Sequence, residues 1–144
     1  MSALEDLGVN DLNDAYAAGI TDPVAVTRHL LDRIGRLDQK LGAFELVLAE
    51  NAIAAAEGAD KAMSSGHRIG PFHGVPFVLK DLVHVEGTIT TGGTNAHADR
   101  ISIETATIAH RLIAAGGILL GKTKTVEVAY GPWGTNTQRG TPWN

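Results

Sequence analysis

Cysteine is absent from the 144 residues, which removes disulfides, thiolate nucleophiles and cysteine-ligated zinc, while leaving the redox compartment open. Aromatic residues make up only 5% of the chain, and serine occurs only at positions 2, 64, 65 and 102, so candidates for a hydroxyl nucleophile are few. No apolar run approaches the ~20 residues of a membrane span. Charge of one sign is also lacking: 12 Lys+Arg face 16 Asp+Glu, a net charge of −4. That balance argues against a nucleic-acid footprint and is too ordinary for a disordered acidic tail. The first twenty residues carry Glu5, Asp6, Asp11 and Asp14 and lack a basic start followed by an apolar stretch. They read as no signal peptide, and a cytoplasmic location is expected. The six histidines (29, 67, 73, 84, 97, 110) show no close ligand spacing, so no metal site is expected.

What the chain does have is hydrophobic mass and glycine. Hydrophobic residues make up 44%, one domain's worth of material able to bury a core. Of 17 glycines, 11 fall between Gly70 and Gly140, and four of the five prolines lie after Gly70. The first half reads as helices. Leu4 to Ala18 has a short helical pattern with Gly19 as its left-handed stop. Asp22 followed by Pro23 is an N-cap with proline at the first helical position. Val26, Leu30, Ile34 and Leu37 form one apolar stripe running to about Gln39. A short extended piece, Ala43 to Leu48, precedes an alanine-rich helix from about Glu50 to Met63.

The second half alternates differently. Val75 to Leu79 is a short apolar run, as in a strand buried on both faces. Gly87 to Thr94 reads as a glycine-rich loop. Thr105 is placed to cap a helix with Ile108, Leu112 and Ala115 on one face, and Ile118 to Leu120 reads as a second buried strand. Strand, helix, strand implies a crossover in an α/β sheet.

Three motifs carry chemical promise. Gly116 to Thr123 satisfies the phosphate-loop pattern GxxxxGK[ST], but a helix precedes it and Ile118-Leu-Leu fills it with bulky apolar side chains. A phosphate loop needs a strand before it and a helix after it, so this segment reads as a helix end feeding a core strand. Ser64-Ser65-Gly66 follows a helix and precedes a polar stretch, which makes it a helix end rather than a nucleophile. Lys80 ends the apolar strand. Burial there would favour the neutral amine and make it a general base, whereas an ordinary strand-end lysine would extend to solvent. Asp81 falls on the opposite face by the two-residue alternation, where it could anchor the following loop without holding Lys80 charged.

A set of consecutive blocks bears on that choice. Gly70-Pro-Phe-His-Gly-Val-Pro-Phe-Val-Leu-Lys-Asp81 resembles the GPLxGIPxxVKD block of the amidase signature family. Gly87 to Thr94 is similar to its GxxTTxGS segment, and Thr107 to Thr123 to its TVVxRLRxAGAxxxGKTN block. Glu127, Gly134, Asn136 and Gly140-Thr-Pro-Trp-Asn144 match later positions. Thr94 replaces the usual serine, Lys124 an asparagine, and Thr105 an aspartate. The resemblance implies an α/β fold: part of an α/β/α sandwich with a mixed central sheet, with N-terminal helices preceding the first core strands. Residues 1–69 would be an N-terminal helical segment and 70–144 the first, incomplete part of the core.

The resemblance also implies a Ser–cis-Ser–Lys triad, with Lys80 as the general base of an amide C–N hydrolase working through an acyl-enzyme, and no metal or cofactor. The family's GGSSGGS block has no counterpart here, since Ser64-Ser65 precedes the lysine and lacks the glycine frame. The chain is therefore expected to be an N-terminal portion, inactive alone. The implied partner is a small-molecule amide, with no membrane and no nucleic acid contacted directly, in a homodimer. The alternatives are an A-type amidotransferase component of a tRNA-dependent transamidation complex and a non-catalytic truncated fragment.

Overall fold

A computed structural model describes residues 4–143. After a single turn at Leu4–Asp6 come α1 (Val9–Ala17), α2 (Pro23–Leu41), β1 (Phe44–Val47), α3 (Ala49–Ser64), β2 (Pro76–Lys80), α4 (Thr107–Ala114) and β3 (Ile118–Thr123), with further single turns at Asn95–His97 and Glu127–Ala129. The strand order is β1-β3-β2. β1 runs antiparallel to β3. On the other edge, Ile118 N donates to Val75 O and Asp81 N to Thr123 O, so both chains advance together, as parallel strands do. The sheet is mixed and the chain is α/β, in agreement with the sequence. Residues 1–35, 48–77 and 112–120 make up one compact unit and 36–47, 78–111 and 121–144 a second.

In the first unit the helices follow their local signals. Asp22 Oδ1 accepts from Ala25 N at 2.7 Å, satisfying one of the free donors at the start of α2. Gly19 takes φ +65° after α1. Val26 is fully buried with Leu12 and Val75, against which Leu30 and Phe72 pack. Along α3, Ala52, Ala56 and Ala59 recur at helical spacing and are buried. Ala52 and Ala56 meet Ile118 and Leu120, flanked by Leu30, Leu31 and Ile34. These small side chains allow the helix close approach to the strand. His73 is also buried, and its Nδ1 accepts from Ile69 N at 3.2 Å. Burial first, and the Arg68 charge second, lower its pKa.

In the second unit, Asp38 Oδ1 accepts from Ala43 N (2.6 Å) and Phe44 N (3.1 Å), turning the end of α2 into β1. Residues 87–90 and 100–102 form a two-stranded ribbon, with Gly87 N donating to Ser102 O, Ser102 N to Thr88 O and Thr90 N to Arg100 O. Its inner face is polar, with Thr90 and Ser102 buried and their hydroxyls 2.8 Å apart. Its outer face carries Ile89 and Ile101, both exposed.

Two expectations around α4 are corrected. Thr105 does not cap the helix through its side chain. Its hydroxyl accepts from Glu86 N at 3.0 Å, and α4 begins at Thr107. The buried residue of α4 is Ala109, while Ile108 is 60% exposed, so the apolar stripe through Ile108 does not mark the packed face.

Candidate active site

β2 ends in Lys80, which the sequence singled out, and Asp81 follows it. Its side chains alternate, with Leu79 buried, Val78 and Lys80 exposed and Asp81 buried. Among these residues the strand is thus covered on one face rather than on both, and Lys80 is exposed, as an ordinary strand-end lysine is. Among the described residues, no hydrogen bond or ion pair engages its side chain. Asp81 does lie on the opposite face, as the alternation required, and it anchors the loop that follows. Asp81 Oδ2 accepts from Thr91 N at 3.0 Å and from Thr91 Oγ1 at 2.5 Å. Asp81 O accepts from Gly92 N.

The buried lysine is a different one. Lys122, on β3, has no exposed side-chain surface. Its Nζ donates to Ile89 O at 2.8 Å and to Thr90 Oγ1, and stands 3.7 Å from Asp81 Oδ1. That carboxylate oxygen is buried and accepts no hydrogen bond, so Lys122 is its charge partner. Burial lowers the pKa of Lys122, and the Asp81 carboxylate opposes that shift. Sequence reasoning missed this role because it places Gly121-Lys122 in a strand-to-loop block without giving the lysine a partner. A lysine inside the apolar run Ile118–Thr123 was a usable signal, since a lysine is rarely buried unless paired.

Gly121 has a packing reason of its own. A Cβ there would stand 2.2 Å from Leu46 O and 3.1 Å from Val47 Cα, so glycine lets β1 approach β3. With a helix before it and a strand through it, the segment has the strand–helix order of a phosphate loop reversed.

A second polar cluster ties three loops together. Asn136 is buried. Its Nδ2 donates to Gly93 O (2.7 Å) and Thr125 O (2.8 Å), while its Oδ1 accepts from Gln138 N and Arg139 N, each at 2.9 Å. Gly93 takes φ +77°, and a Cβ there would lie 2.7 Å from Thr125 O and Val126 O. Lys124, which stands where the signature has asparagine, donates from Nζ to Arg139 O. Asn144, the end of the last signature block, lies outside the described residues.

Beyond the Asn136 cluster the backbone is strained. Val128 (φ 51°) and Ala129 (φ 55°) are both left-handed without being glycine, a costly state for a β-branched residue. This turn borders a cavity of about 240 Å³ lined by Glu127, Tyr130, Trp133 and Asn136 among others.

Ser64 and Ser65 close α3 as expected, with Ser65 Oγ donating to Lys61 O at 2.9 Å. Among the described residues, no group of three His, Asp or Glu side chains could hold a metal ion, and no helix is long and apolar enough to cross a membrane.

The class is α/β with a mixed sheet, in which an exposed lysine stands at a strand end and the next residue's carboxylate fastens a glycine-rich loop. The particular family follows from comparison: the protein-family model described as Amidase matches residues 25–144, and the chain belongs to that family. It is 37% identical over 131 residues to the A-subunit of glutamyl-tRNA(Gln) amidotransferase from Salinispora tropica, covering 91% of this chain and 27% of that protein. It is 36% identical over 128 residues to the putative amidase AmiD of Mycobacterium tuberculosis, covering 89% and 27%. Among solved structures, the peptide amidase PAM in complex with the inhibitor chymostatin superposes with a TM-score of 0.87 at 31% identity, covering 96% of this chain and 30% of that one. The chain thus spans less than a third of the length of these relatives.

Proposed function

We propose that the chain is the N-terminal portion of an amidase-type hydrolase that cleaves carboxamide C–N bonds, with Lys80 as its general base. In this reading neutral Lys80 draws a proton through a bridging serine from a nucleophilic serine. The nucleophile attacks the amide carbonyl, ammonia or an amine leaves, and water releases the acid from the acyl-enzyme. Both serines would come from the signature block that has no counterpart in these residues. A lysine without nucleophile or oxyanion donors forfeits the terms that dominate such catalysis, so the 144 residues alone are proposed to be inactive. The observation that carries the reading is the family match over residues 25–144, with Lys80 in the strand-end position of the signature and its neighbour Asp81 fastening the following loop. Exposed Lys80 is compatible with a base whose hydroxyl partners belong to another segment. The proposed substrate is a small-molecule amide, and the proposed setting is cytoplasmic.

The test is a graft of this chain in place of the matching N-terminal portion of a peptide amidase. Hydrolysis of simple amides should fall about 10²–10⁴-fold on Lys80→Ala, the range for loss of a general base, with circular dichroism unchanged. A folded graft equally active without Lys80 refutes the assignment, and amide turnover by the 144 residues alone refutes their inactivity.

The 37% identity to an amidotransferase A-subunit favours a second reading, a component that supplies ammonia within a transamidation complex. Glutaminase activity that appears only with partner subunits would support it.

A further inference from the structure

We propose that His73 is a pH-gated pin: its neutral ring holds the exposed arm of residues 66–72 in place, and on protonation it releases the middle of that arm. The inference goes beyond the amidase reading and does not depend on the role of Lys80. The arm lies between α3 and β2, and Gly66, His67, Arg68, Ile69 and Pro71 are exposed along it. Both of its ends are fastened. His67 N donates to Ala62 O at 2.8 Å, and Phe72 packs against the buried cluster of Leu12, Val26 and Val75. Between those ends, among the described residues, the hydrogen bonds to residues 68–71 come from Asn13 and His73. Asn13 Nδ2 donates to Pro71 O at 2.6 Å, and its Oδ1 accepts from the Arg68 guanidinium. His73 N donates to Gly70 O at 3.1 Å, and His73 Nδ1 accepts from Ile69 N at 3.2 Å.

The last of these contacts requires one form of the ring. An imidazole nitrogen that accepts from an amide carries no proton, so neutral His73 holds its proton on Nε2. Protonation of Nδ1 sets two donors face to face, and the bond to Ile69 is lost. Gly116 crowds the same ring: a Cβ there would stand 2.6 Å from His73 Cδ2 and 2.9 Å from its Cα. The residue is 3% exposed, and a buried imidazolium needs water or an acceptor in place of the lost bond. The arm, exposed and lightly held, is the element that gives way to admit them.

The charged and titratable groups around the ring all leave it free to act in this way. Burial first, and the Arg68 charge second, lower its pKa, so release falls below the ordinary histidine value of 6.5. The arm is held above that pH and freed beneath it. His67, also on the arm, is exposed. From α1, Tyr16 donates its hydroxyl to Gly74 O at 3.0 Å, and burial raises its pKa, so it stays neutral throughout. Asp14 of α1 shares with Arg68, Asn10 and Asn13 a cleft of about 560 Å³ that the arm walls on one side. Residues 115–117, the turn after α4, carry no ionisable side chain. Release of the arm therefore opens the wall of that cleft.

The experiment uses the 144-residue chain and needs no catalysis. NMR spectra of the labelled chain between pH 7.5 and 5 follow the histidine rings and the backbone amides together. The His73 ring should titrate below those of exposed His67, His97 and His110, and the Ile69 amide shift should follow the same midpoint. Exchange of the Ile69 amide with solvent, corrected for the intrinsic effect of pH, should rise about fivefold, the factor for one hydrogen bond of ordinary strength. The amides of α2 should keep their protection over that range. His73→Asn, whose side-chain oxygen replaces Nδ1 as an acceptor that does not titrate, should leave Ile69 exchange flat with pH. Arg68→Gln should move the shared midpoint up, since a positive charge is removed from beside the ring. If His73→Asn does not fold, the wild-type titration and Arg68→Gln decide the matter. An Ile69 amide that does not follow the His73 ring overturns the proposal. So does loss of protection in α2 in step with Ile69, which is unfolding of the whole unit rather than release of the arm.

Discussion

Gly121→Ala tests whether this glycine serves the sheet or a ligand. The added Cβ would sit 2.2 Å from the carbonyl oxygen of Leu46, roughly 1 Å or more inside ordinary van der Waals contact. Neither partner is the free end of a flexible side chain. Leu46 is paired with Lys122 and Val47 with Gly121 in the β1–β3 register, so the strain must separate the strands. Overpacking of a tight site costs about 1–3 kcal/mol, and weakened pairing of β1 adds to that. With a urea m-value of about 1–3 kcal/mol/M for a small protein, the unfolding midpoint should fall by about 1 M.

Gly58 provides the opposite case. It lies within α3, is exposed, and a Cβ there meets nothing within 4 Å. Gly58→Ala should therefore stabilise by about 0.5–1 kcal/mol, because alanine removes backbone freedom from the unfolded chain. Urea denaturation followed by circular dichroism reads both. If Gly121→Ala leaves the midpoint where it was, β1 is not held against β3 as described, and the packing account of this segment is wrong.

His73 gives a pH prediction. Its folded-state pKa is lowered from 6.5, so the unfolded chain binds the extra proton first. The stability it contributes is complete above pH 6.5 and is lost as pH falls from there through the folded value. The thermal midpoint of the wild-type chain should drop between pH 7.5 and 5.5 more than that of His73→Gln, and an equal drop in both refutes the assignment. Asn136→Ala removes two donors and two acceptor contacts from a buried junction and should cost about 3 kcal/mol. Amide hydrogen exchange at Gln138 and Arg139, which lose their acceptor, should accelerate, and unchanged protection there would count against the clamp.

Signals contained within a few residues were legible in the sequence. Asp22, Pro23 and Gly19 set helix ends through contacts that span three or four positions. The stripe of Val26, Leu30 and Ile34 and the alanines of α3 follow from helical period alone. Signals that depend on what lies across the sheet were not. Whether Lys80 is covered depends on which face of β2 has a neighbour, and the run Val75–Leu79 is apolar on both. The burial of Lys122 requires Asp81, Ile89 and Thr90, some 30 to 40 positions away in sequence, to converge on it. Thr105 reads as a cap in isolation, but Glu86, 19 residues earlier, claims its hydroxyl. The family resemblance pointed to Lys80 from its motif, whereas the physical argument from burial belonged to another lysine of the same sheet.

The ribbon of residues 87–90 and 100–102 is turned inside out, with hydroxyls inward and isoleucines outward. Hydropathy-guided engineering would therefore work backwards there. Exchanging Ile101 for threonine trims an oily surface at little expense to the fold, whereas exchanging Thr90 for the nearly isosteric valine removes a ligand of a buried ammonium. Exposed apolar and buried hydroxyl positions thus alternate along each short strand of the ribbon, Ile89 with Thr90 and Ile101 with Ser102.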